Sequence, residues 1–110
     1  MKKLLLCAAL VAGSAHAEFK DGNKLLAQLQ GATLDQSNAL GYITGVSDTM
    51  HGVSHCPPEN ATAGQLSDMV RNYLTNVPAE RHRTADVIVL HVLKTTWPCA
   101  ERAAPRGKSL

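Results

Sequence analysis

Within this 110-residue chain, His51, His55 and Cys56 come nearest, by type and spacing, to a chemical site. Two histidines four residues apart share one face of a helix, and with the adjacent thiol they resemble half of a zinc site. A complete site needs further ligands, and no second cluster of ligand-type residues follows in the sequence. A Cys–His nucleophile would need Cys56 as a free thiolate and a third group to orient the imidazole, and no such partner is identifiable. The other cysteines are Cys7 and Cys99. Whether Cys56 is a ligand, a nucleophile or half of a disulfide therefore depends on the compartment the chain occupies.

The first residues address that question. Lys2 and Lys3 give a positive start, an apolar run follows over residues 4–12, and Gly13-Ser14-Ala15-His16-Ala17 supplies the small residues of a signal-peptidase site. Residues 1–17 read as a signal peptide cleaved after Ala17, because the apolar run is too short to remain as a membrane span. Cys7 lies inside the run behind Leu6, not after small residues at its end, so no lipid anchor is expected. The expected location is the periplasm, where thiols are oxidised. A Cys56–Cys99 disulfide is then favoured over free thiols or metal ligation. Closing a loop of about 44 residues stabilises a fold by roughly 4 kcal/mol in the chain-entropy view.

Cleavage leaves 93 of the 110 residues, enough for one modest core and too few for two domains. It also removes Lys2 and Lys3, which reduces eleven basic side chains to nine and balances the nine acidic ones. A neutral mature chain gives no reason to expect nucleic acid or an anionic membrane as a partner. No later stretch is long and apolar enough to form a membrane anchor.

Helices must position these residues. Leu25, Leu26 and Leu29 mark a short helix over 24–30 that ends near Gly31. Leu40, Ile43, Val46, Met50 and Val53 stripe a second helix over 34–55. Gly41, Gly45 and Gly52 weaken that helix and suggest close backbone packing on their side, or a kink at one of them. Pro57 and Pro58 force a loop. Thr62 with Gln65 reads as a capping box that opens a third helix, whose stripe is Leu66, Met69, Val70, Tyr73, Leu74 and Val77. Pro78 breaks the chain, residues 85–97 read as a central buried helix, and Pro98 ends it. The expected fold is all-α: a domain over 18–100, built as a small bundle of about four helices with one disulfide, followed by a polar tail over 101–110.

Three other polar features have structural readings beside functional ones. His91, amid Val89, Leu90, Val92 and Leu93, reads as a buried, hydrogen-bonded core residue. Asp48 reads as a structural residue of the second helix, either a surface partner or a packed polar group. Arg81-His82-Arg83 reads as a solvated turn, with a contact at the rim of an interface as the alternative.

Beyond single residues, an ordered set resembles the Rap/Tai immunity proteins, which protect bacteria from type VI secretion amidases. Its parts are Phe19, Gly22, Leu25 and Leu26, then Gly41-Tyr42-Ile43-Thr44-Gly45-Val46-Ser47-Asp48, Cys56-Pro57-Pro58, Gln65-Leu66, Tyr73-Leu74, Pro78-Ala79-Glu80-Arg81-His82 and Trp97-Pro98-Cys99. An extra cysteine pair common in the family is absent: the corresponding stretches read Leu29-Gln30 and Asn38-Ala39-Leu40. Only the Cys56–Cys99 bridge carries over. The resemblance implies a helical periplasmic protein, often a homodimer, that blocks a cysteine-dependent peptidoglycan amidase and has no catalysis or cofactor of its own.

The expected contact is the loop at Pro57, Pro58, Glu59 and Asn60. Two prolines and a disulfide leave it little entropy to lose on docking. The plainer reading is that the prolines only turn the chain, in which case Arg81-His82-Arg83 is the next candidate. A second function class also fits the composition. Four histidines and nine carboxylates in a small stapled chain would suit an acid-stress chaperone of the periplasm.

Overall fold

The computed structural model describes residues 19–100. The expected signal peptide and the polar tail lie outside the described residues. Among the described residues the chain forms four α-helices, α1 Gly22–Leu29, α2 Thr33–Met50, α3 Ala63–Asn76 and α4 Ala85–Thr96, with a short 3-10 turn over Pro78–Glu80. Every pair of helices is in contact, so there is one core and the fold is all-α as expected. No helix in this set is long and apolar enough to cross a membrane.

Helix α1 begins two residues earlier than its leucine stripe implies. Asp21 caps it, its carboxylate accepting from the Lys24 amide at 2.8 Å. The amides of Gly22 and Asn23, which the helix cannot satisfy itself, donate to the carbonyls of Arg83 at 3.0 Å and Arg81 at 3.1 Å. Gly22 is required for that approach, since a Cβ there would lie 2.8 Å from the Arg81 carbonyl oxygen and 2.7 Å from Ile88 Cδ1. The other end of the helix buries Leu25, Leu26 and Leu29.

Helix α2 ends at Met50, five residues short of the expected limit. Gly52 takes φ +82°, a left-handed conformation that reverses the chain, so Val53 leaves the stripe and is 73% exposed. Gly41 and Gly45 also depart from expectation: a Cβ at either would find nothing within 4 Å, so no backbone packs against them. Packing on the opposite face holds the helix, with Ala39 and Ile43 buried and Tyr42 and Val46 against the core.

Helix α3 begins with the expected capping box. The Gln65 amide donates to Thr62 Oγ1 at 3.1 Å, and the Thr62 amide donates to Gln65 Oε1. Leu66, Val70 and Leu74 are buried, and Met69 and Tyr73 pack at the edge of the core. In α4, Ala85, Ile88, Val89, Val92 and Leu93 are buried. His91 is not: it is exposed, its ring 5.4 Å from that of Tyr73. The helical period places it opposite Val89 and Leu93, so its apolar neighbours in sequence are not its neighbours in space.

The Cys56–Cys99 disulfide forms, with the two Cα atoms 4.8 Å apart. It joins the loop after α2 to the chain just beyond α4. The Cys56 amide also donates to the Trp97 carbonyl at 2.8 Å, a second tie between the same two segments.

Candidate functional site

The site is built where α2 stops. Beyond Met50 the chain makes a tight reversal: the amides of Val53 and Ser54 donate to the Met50 carbonyl at 3.0 Å, and the Gly52 amide donates to the His55 carbonyl at 2.8 Å. This turn carries His55 inward until it is fully buried. Its Nε2 is 3.0 Å from Ser47 Oγ and its Nδ1 is 2.8 Å from Ser54 Oγ, so both ring nitrogens have hydroxyl partners. Burial, and after it the neighbouring His51, push the His55 pKa below its ordinary value, although the Ser47 contact opposes the shift. His55 is therefore a neutral internal pin that ties the turn to the last buried residue of α2.

This geometry revises the reading of His51 and His55 as neighbours on one helical face. The helix has ended before either, His51 is exposed, and the rings meet edge-on with centroids 6.2 Å apart. Both cysteine sulfurs are in the disulfide, so Cys56 offers neither thiolate nor ligand. Among the described residues no group of three or more His, Cys, Asp and Glu side chains gathers as a metal site would require.

After Cys56, held by the disulfide and by Trp97, the chain runs through Pro57, Pro58, Glu59 and Asn60. It closes with a turn in which the Ala61 amide donates to the Pro58 carbonyl at 3.0 Å. Pro57 is half-buried, while Pro58, Glu59 and Asn60 are exposed. Pro57, Pro58 and Glu59 form one wall of a groove of about 300 Å³. The end of α2 faces them with Thr44 and Asp48, His51 follows as the residue just beyond the helix, and Leu66 contributes from α3. Asn60 does not line the groove. Asp48 is neither packed nor paired: it is exposed at the rim, and neither its side chain nor that of Glu59 makes a hydrogen bond or ion pair among the described residues. The site thus combines a fixed backbone, two prolines and two unpaired carboxylates. Such a surface can bind but holds no activated nucleophile.

The sequence pointed to His51 only as a metal-ligand candidate and to Asp48 only as a structural residue, and placed neither beside the proline loop. Their signal would have been the early end of α2 at Gly52, since a helix continued to residue 55 carries them away from the loop. The Arg81-His82-Arg83 turn is, by contrast, occupied internally. Arg81 Nε donates to the Leu74 carbonyl at 2.6 Å, capping the end of α3. Arg83 pairs with Glu80 at 3.1 Å, and His82 Nδ1 lies 3.0 Å from the Ala79 carbonyl.

No curated protein matches the sequence. Residues 21–99, more than two-thirds of the chain and including both bridged cysteines and every residue of the groove, match the family of Rap1a immunity proteins. The chain belongs to the Rap1a immunity protein family.

Proposed function

We propose that this protein is a periplasmic immunity protein that binds and inhibits a peptidoglycan amidase effector of type VI secretion. In this reading the chain is exported by residues 1–17, cleaved after Ala17, and performs no catalysis of its own. The observation that carries the proposal is the form of the loop after α2: a disulfide, a buried His55 and a backbone bond to Trp97 hold its base, while Pro58, Glu59 and Asn60 stand free at its tip. A segment fixed in this way loses little conformational freedom on entering a cleft. Glu59 and Asn60 offer acceptors to donors around a catalytic thiol. Family membership supports the immunity role, and the choice of an amidase as target rests on the resemblance in the sequence.

The test is inhibition of a purified amidase encoded beside this gene, assayed on peptidoglycan with the oxidised protein added in increasing ratio. Inhibition saturating near one chain per active site is expected. Full amidase activity at a large excess of oxidised protein would refute the reading.

A further inference from the structure

We propose a second binding site, specific for a carboxylate carried on an apolar residue, in the groove between the first two turns of α2 and the facing side of α3. The groove is about 300 Å³; Leu29 and Leu40 give it apolar wall, and its polar lining includes Thr33, Ser67, Arg71 and the carboxylate of Asp68. Ser67 carries the inference. It is 7% exposed, forms part of the groove wall, and its hydroxyl is the buried side-chain atom that has no hydrogen-bond partner among the described residues. A buried hydroxyl left unpaired is costly, so a site that supplies its partner on binding gains what the free protein lacks. Since Ser67 belongs to the groove wall, rotation about χ1 between staggered positions is the movement by which its hydroxyl would meet a ligand there.

Two independent features select an anion as that partner. Arg71 lies one turn beyond Ser67 on the same face of α3, so its guanidinium and the hydroxyl can reach one carboxylate. Asp68, itself a groove residue, is bound to Arg71 at 2.9 Å through Nη1 and offsets its charge, so the anion must be taken by the donors that a guanidinium with five N–H groups retains. Opposite, α2 begins at Thr33 with Ala32 as its cap residue, which provides no side-chain acceptor for the first-turn amides. The first-turn Asp35 does not line the groove; its Oδ2 lies beside Gly31, 2.8 Å from where a Cβ there would sit.

The probe is N-acetyl-L-leucine, with N-acetyl-L-leucinamide as its uncharged counterpart, titrated into the ¹⁵N-labelled full chain. Saturable shifts of the Thr33, Ser67 and Arg71 amides are expected for the acid, with the amide binding about tenfold more weakly or worse. Ser67→Ala and Arg71→Gln should each weaken the acid about fivefold or more. Neither threatens the fold, since the first removes an unpaired group and the second an exposed ion pair. Absence of saturation up to about 20 mM, equal binding of acid and amide, or binding indifferent to both substitutions would overturn the proposal.

Discussion

Two proline-bearing connections, residues 51–61 and 77–84, have similar composition and opposite organisation. In the second, the polar groups turn inward. Arg81 caps α3 with its side chain and accepts from α1 with its carbonyl, while Arg83 is paired with Glu80. In the first, the internal work falls to groups at the base, His55, Cys56 and the turn amides, and the charged tip is left unpaired. A charged cluster near a proline is thus no guide to an interface until its internal partners are known. The Arg81 turn ties α3 to α1, and the 51–61 loop is held at its base with its charged tip left unpaired.

That contrast predicts where damage will be structural. The largest effect should come from replacing Cys56 and Cys99 together with alanine, which removes roughly 4 kcal/mol by the loop-entropy argument. Denaturant unfolding of oxidised wild type against the double variant would measure it, and a loss well under 1 kcal/mol would mean that the base of the loop is held by other contacts. Arg81→Met should follow at about 1.5–3 kcal/mol, because it strips a charged donor from the end of α3. His82→Ala, on an exposed ring, should cost within about 0.5 kcal/mol in the same assay.

Acidification should loosen the loop end selectively. The His55 pKa is lowered in the folded protein, so the unfolded chain takes up a proton first as pH falls through the ordinary histidine range, near 6.5. His55 therefore opposes no folding at neutral pH and disfavours it progressively below about 6.5. Stability measured at intervals between about pH 7 and 5 should decline, and His55→Gln should flatten that part of the profile even though it lowers stability overall. A profile unchanged by the substitution would show that the imidazole is not the group responsible.

The helices were legible because their apolar periods are strong, as in Leu66, Val70 and Leu74, and because Thr62 with Gln65 is a local signal for a local structure. The disulfide was legible from compartment and count. His91 and His55 exchanged roles, the first because the period of α4 turns it away from Val89 and Leu93, the second for a reason that periodicity does not carry. Which of two histidines is buried depends on the register of α4 and on a reversal at Gly52, a residue that a helical stripe running on to Val53 conceals. The same reversal hid Asp48 and His51 as groove residues. Ser47 and His55 are eight residues apart with a turn between them, and nothing in the sequence pairs them. The loop itself was legible from Pro57 and Pro58, but that Pro57, Pro58 and Glu59 wall a groove and Asn60 lies beside it depends on the approach of α2 and α3, which no local signal carries.

The contrast between the two connections is tested most directly by calorimetric titration of the amidase with two variants that should both keep wild-type stability, Glu59→Ala with Asn60→Ala and His82→Ala with Arg83→Ala. The expected result is a loss of affinity of about tenfold or more for the Glu59/Asn60 pair and of less than about twofold for the His82/Arg83 pair. Unchanged affinity for the first pair with a large loss for the second would contradict a contact at the disulfide end and place it on the Arg81 turn.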